Sequence, residues 1–146
     1  MCYSVYLSTD SGENLGARNS ALVRFETVAN TDAAPYVALL EYPNRWFVGS
    51  KAGCSCTFRH LHSIELGFGD PVDWYPEEQD EMDATREIYA TLVDLLSSGH
   101  QVDLVDAWEG AQVEDIHHLV VSLDQVSSTA FRLFENHRFT LRLGTS

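Results

Sequence analysis

No run of about 20 apolar residues, the length an α-helix needs to cross a hydrocarbon core, occurs in this chain, so a helical membrane protein is excluded. Basic residues are scarce: nine Lys plus Arg against 22 Asp plus Glu give a formal net charge of -13. They are scattered rather than gathered into a patch, and such a field repels a phosphate backbone, which argues against nucleic acid as a partner. Solubility is the simpler use of the acidity. Cysteine is limited to three residues, an odd count too small for a disulfide framework. The opening MCYSVYLSTDSGE lacks a basic segment followed by an apolar stretch, which points to a reducing cytosol where thiols stay free unless they are catalytic or metal-bound.

Motifs of familiar chemistry are missing too. There is no G-x-G-x-x-G, no P-loop, no H-E-x-x-H and no G-x-S-x-G, and the acidic spacing of an EF-hand is absent. No pair of carboxylates stands out as an acid and a base. The chain therefore reads as a binding or interaction protein before it reads as an enzyme. No internal repeat, low-complexity tract or linker divides it.

What is present is a chain of 146 residues, 45 % hydrophobic and 21 % charged, the size of one globular domain, 1–146, able to bury roughly 68 to 70 % of its unfolded surface. Cys2 to Ser8 alternates as a strand, with Tyr3, Val5 and Leu7 on one face. A turn-rich loop follows, then a second strand from Leu22 to Thr27. Ala33 to Tyr42 fits either a short helix or an extended piece, ended by Pro43-Asn44. RWFVGS from Arg45 and CSCTFRHL from Cys54 form the arms of a hairpin turned at Gly49 to Gly53. Pro76 to Ser98 is a helix: Pro76 suits its first turn, the acids that follow suit its positive end, and Gly99 its C-terminal cap. Met82, Thr85, Ile88, Tyr89, Leu92, Leu95 and Leu96 recur at helical spacing on its apolar face. Gln101 to Trp108 and Asp115 to Leu123 read as strands joined by the Glu109-Gly110 turn, Ser127 to Phe134 as a short helix, and His137 to Leu143 as a closing strand. The expected class is α+β, a largely antiparallel β-sheet packed against one long helix, with a short second helix near the C-terminus.

Chemically capable side chains crowd together in one stretch, GSKAGCSCTFRHLHS, Gly49 to Ser63. Cys54 and Cys56, with Cys2 from the first strand, offer three soft ligands for a metal such as zinc, with His60, or else His62, as the fourth. Geometry sets a condition. Residues i and i+2 of a flat strand lie about 6.6 to 7 Å apart, whereas two thiolates on one tetrahedral zinc must lie about 3.8 Å apart. Cys54 and Cys56 can share an ion only if the chain bends, and Gly53 allows it. Rival uses are a thiol enzyme or redox protein built on Cys54 or Cys56 with His60, burial of all three cysteines as small apolar filler, and an N-terminal nucleophile at Cys2 should Met1 be removed. A purely structural partner-binding domain, as a homodimer through a free sheet edge, is a further possibility. His117 and His118, being adjacent, face opposite sides of a strand. The segment Glu65 to Asp83 mixes acids with Phe68, Trp74 and Tyr75, as helix-start acids with aromatic packing or as a binding rim.

The segments MCYSVYLST, WFVGSKAGCSCTFRH, GDPVDWYPEE and FRLFENHRFTL together resemble a group of small bacterial proteins with no known activity, over most of the chain. The resemblance implies a bacterial, cytosolic protein and draws attention to Cys2, Cys54 and Cys56. It brings no mechanism with it. The expectation is a small acidic cytosolic binding protein that holds a soft metal through Cys2, Cys54, Cys56 and His60.

Overall fold

The alternating stretches assemble into one twisted sheet in the computed structural model, which describes residues 2–28, 35–61, 65 and 67–144. Its strands are β1 (Tyr3–Thr9), β2 (Val23–Thr27), β3 (Asn44–Ser50), β5 (Val102–Trp108), β6 (His117–Ser122) and β8 (His137–Arg142), in the order β2-β3-β1-β5-β8-β6. Every neighbouring pair is antiparallel except β6 with β8. Two short strands, β4 (His60–Leu61) and β7 (Leu133–Phe134), pair in parallel apart from the main sheet. With the single long helix α1 (Gln79–Ser97) this is an α+β fold.

Period-two patterning decides what each face meets. Val5, Leu7, Leu104 and Phe139 turn to the face that packs against Ile88, Leu92 and Leu95 of α1, where fully burying each such side chain contributes about 1.5 to 3 kcal/mol. Val105 and Ala107 turn to the other face, covered by Tyr36 and Val37 of a 3-10 turn at Pro35–Leu39. That turn lies within the ambiguous Ala33 to Tyr42 segment, which is described from Pro35 onward. Covered on both sides, β5 is buried from Val102 to Ala107, so its Asp103 and Asp106 must find partners inside. Among the described residues no helix is long and apolar enough to cross a membrane.

Helix α1 starts later than the sequence suggests. Glu78 caps it, its N–H donating to Glu81 Oε1 at 2.9 Å, while Glu77 peels away into a buried cluster with Arg59 and Arg132. The C-terminal end is as expected, with Gly99 at φ 87° and His100 N–H donating to Leu95 O at 3.0 Å.

Two expectations need correction. Cys54 to Leu61 is no hairpin arm: only His60–Leu61 is extended, and it pairs with β7 rather than β3. Ser127 to Phe134 is not a helix but a turn leading into β7, because Phe131, Arg132, Leu133 and Phe134 are all buried, and four consecutive buried residues need partners on more sides than one helix face offers. The helical residues nearby are a 3-10 turn at Leu123–Gln125. As expected, β5 leads into the Glu109-Gly110 turn and β6 follows it; in the sheet β8 lies between them.

Candidate metal centre

The bend in the cysteine loop is built by its own backbone. Where β3 ends, Ser50 N–H donates to Cys54 O at 2.7 Å and Gly53 N–H to Ser50 O at 2.9 Å. Gly53 has φ 89°, a conformation that residues with a Cβ avoid. The chain reverses there. It then runs back along the start of β1, and Ser55 N–H donates to Tyr3 O at 3.3 Å.

Ser55 itself turns inward and is fully buried. Its hydroxyl accepts from Val5 N–H at 2.9 Å and donates to Val48 O at 2.6 Å, bridging β1 and β3 where the two strands part. With Ser55 inside, Cys54 and Cys56 are left on the side of Cys2. Tyr3 N–H points at the Cys56 sulfur, 3.3 Å away. Cys2 is fixed by a backbone bond from Glu109 N–H at 2.9 Å and by its own N–H to Glu109 Oε2 at 3.3 Å.

The three sulfurs lie within 4.8 Å of one another, and all three cysteines are half-buried. Tetrahedral zinc wants its thiolates about 3.8 Å apart, so side-chain movements of roughly 1 Å would close the shell. This cluster can hold a metal ion. The thiols also differ in acidity. Burial opposes ionisation of Cys54, but hydrogen bonds from the Cys56 and Cys2 thiols outweigh it and hold Cys54 below the ordinary thiol range. Burial, and the hydrogen bond shared with Cys54, push Cys56 up to about 12. Metal ions bind cysteine as thiolate, so the thiol protons must leave on binding.

His60, expected as the fourth ligand, is engaged elsewhere. Nδ1 lies 2.7 Å from Asp106 Oδ2 and Nε2 lies 2.5 Å from the Ser55 carbonyl oxygen. Its ring stacks on Tyr3 with centroids 3.8 Å apart and planes 5° from parallel. A carbonyl oxygen only accepts, so Nε2 carries a hydrogen and offers no lone pair to a metal. Burial lowers the basicity of His60, yet Asp106 and the Ser55 carbonyl overcome it and raise the pKa. Burial raises that of Asp106 as well. Nε2 therefore donates to the Ser55 carbonyl, while Nδ1 and the Asp106 carboxyl share a hydrogen bond in a buried site. His60 thus grips the peptide between the two loop cysteines. His62 lies outside the described residues.

Other sequence candidates fall away from this cluster. His118 Nε2 meets Thr140 Oγ1 at 2.7 Å on the exposed sheet surface. In the acidic, aromatic segment, Trp74 is 73 % exposed, whereas Glu77 is buried with both arginines. Sequence reasoning missed Ser55 and Asp106. Asp106 carried a usable signal, an acid inside VDLVDAW, where a fully buried strand obliges it to have a partner. Ser55 carried none, since a serine between cysteines looks like loop filler. Comparison with protein-family models, with curated proteins and with solved structures gives no match.

Proposed function

We propose that this acidic protein binds a soft metal ion, zinc in the first instance, through the thiolates of Cys2, Cys54 and Cys56, with His60 and Asp106 positioning the loop. The observation that carries the reading is the convergence of three half-buried sulfurs within 4.8 Å, drawn from two segments 52 residues apart in sequence, 54 minus 2. An all-sulfur set selects thiophilic ions over calcium or magnesium, whose preferred ligands are oxygens. Among the described residues three protein ligands converge, and a tetrahedral ion held by them has a fourth position for a further donor. Such chemistry needs reduced thiols, as a cytosol provides.

The test is elemental analysis beside native mass spectrometry of protein made without a histidine tag. One metal per chain is expected, and Cys54→Ser should lose it while remaining folded. Cobalt substitution should add thiolate-to-metal charge transfer in the near ultraviolet. A reduced, folded apoprotein that takes up neither zinc nor cobalt overturns the reading.

A further inference from the structure

The described histidines differ in what their ring nitrogens are left to do. His60 has both engaged, by Asp106 and by the Ser55 carbonyl, His118 has Nε2 against the Thr140 hydroxyl at 2.7 Å, and His100 has Nδ1 3.3 Å from Asp10 Oδ1. His137 is different. Its Nδ1 lies 2.8 Å from the Glu135 carbonyl oxygen, which can only accept, so Nδ1 carries the hydrogen and Nε2 keeps a lone pair. Beside it stands the exposed His117.

The backbone sets these two rings together. Strands β6 and β8 run parallel with His117 opposite His137, so both side chains leave the same face of the sheet, and the ring centres lie 5.2 Å apart with planes tilted by 40°. The start of this pairing is fixed: His117 N–H donates to Asn136 O at 2.9 Å, and Asn136, at φ 56°, accepts from Trp108 N–H through its side chain at 2.9 Å. An ion about 2.0 to 2.1 Å from one nitrogen of each of two imidazoles, at the tetrahedral angle, holds the ring centres roughly 5 Å apart. The observed spacing meets that condition, so turning the rings about their side-chain bonds aims both nitrogens at one ion without moving a strand. The same row of the sheet continues to Asp106, in register with His137, and Asp106 Oδ1 is buried with no hydrogen-bond partner among the described residues. A buried acceptor there, in a chain of net charge -13, favours a cation over an anion.

We propose that His117 and His137 form a second metal site, for divalent ions that suit imidazole nitrogen, zinc or copper(II), separate from the cysteine cluster. The Glu135 carbonyl takes the part that an outer acceptor has in metal-bound histidine, fixing the tautomer and the ring of His137. An ion held by both imidazoles clamps β6, at the edge of the sheet, to its neighbour β8. Two imidazoles leave further positions on the ion for water or another donor.

The experiment follows the histidine ring nitrogens by proton–nitrogen NMR as zinc chloride is added to the reduced protein and to Cys54→Ser, in which the sulfur site is broken. In both, His137 Nε2 and one ring nitrogen of His117 should shift together and saturate together, with His60, His100 and His118 unmoved. In the Cys54→Ser background the urea midpoint should rise with zinc, because the unfolded chain does not hold the two rings side by side. Adding His117→Gln, at an exposed position, should abolish both the rise and the shift at His137, and His137→Gln should abolish the shift at His117. Zinc that leaves both rings unmoved, that shifts His100 and His118 as much as the pair, or that still shifts His137 undiminished in His117→Gln overturns the proposal. The two metal readings fail separately: zinc that fills the cysteines and leaves both imidazoles unmoved removes this site and keeps the sulfur one, and zinc on the imidazoles alone does the reverse.

Discussion

Replacing Ser55 by alanine removes one oxygen atom and should damage the protein more than replacing either cysteine beside it. The hydroxyl serves two buried backbone groups, Val5 N–H at 2.9 Å and Val48 C=O at 2.6 Å, in a residue that is fully buried. Alanine fits the space but offers neither a donor nor an acceptor. A buried polar group left without a partner costs about 1 to 3 kcal/mol, so two such groups cost about 2 to 6 kcal/mol. Total stability for a domain of this kind is about 5 to 15 kcal/mol, so the loss is a large fraction of it. For this chain length it corresponds to a fall in Tm of roughly 5 to 20 °C. Thermal and urea unfolding of the reduced apoprotein, followed by tryptophan fluorescence, would measure it. Cys54→Ser and Cys56→Ser, on half-buried residues, should each shift Tm far less. A Ser55→Ala protein melting within about 2 °C of the parent would show that β1 and β3 simply close over the gap, and the account of why the loop bends inward would be wrong.

Asp106→Asn removes the charge that holds the His60 imidazole against the Ser55 carbonyl; zinc affinity should drop by about 10- to 100-fold with one ion per chain retained, measured by competition with a chromophoric chelator. In the parent apoprotein, the raised pKa of His60 means that the pair stabilises fully below the ordinary imidazole range and that this contribution is lost as pH rises through the raised value. Asp106→Asn should show that loss at lower pH in urea midpoints taken across the neutral range. Glu77→Gln leaves Arg59 and Arg132, whose side chains are 2 % and 1 % exposed, without their shared carboxylate. The expected loss is about 3 to 5 kcal/mol, and a urea measurement showing less than about 1 kcal/mol would contradict it. All six tyrosines have pKa values raised, chiefly by burial, with Glu135 adding to the shift at Tyr3. Their neutral forms stabilise the fold fully below the ordinary phenol pKa, and that contribution is lost as pH climbs through the raised values. Ultraviolet titration should therefore show ionisation delayed past that of free tyrosine and then abrupt with unfolding; six tyrosines titrating independently at the ordinary value would contradict the burial.

Local signals carried the regular elements. Strict alternation from Tyr3 to Leu7, the three-and-four spacing of Ile88, Leu92 and Leu95, and Gly99 at the helix end each reflect the geometry of the element that contains them. The failures occurred where distant partners overrode local pattern. Arg132 reads as a polar residue on a short helix, yet it is buried against Glu77, 55 positions earlier by 132 minus 77. CSCTFRHL alternates like a strand, but the hydroxyl of Ser55 finds two buried backbone partners that a hairpin arm would not offer it.

The sequence by itself determined the ingredients: an acidic α+β chain, three thiols, and a glycine at the one place where the loop had to turn. It named Cys2, Cys54 and Cys56 because ligand chemistry is a property of residue type. Whether they meet was decided by tertiary structure, since the bonds from Tyr3 to Ser55 and Cys56 join segments more than 50 residues apart. The same holds for His60. Its imidazole is a metal ligand by type, and its place between Asp106 and the Ser55 carbonyl gives both ring nitrogens other work. Composition offers ligands, but only packing determines which lone pairs remain free.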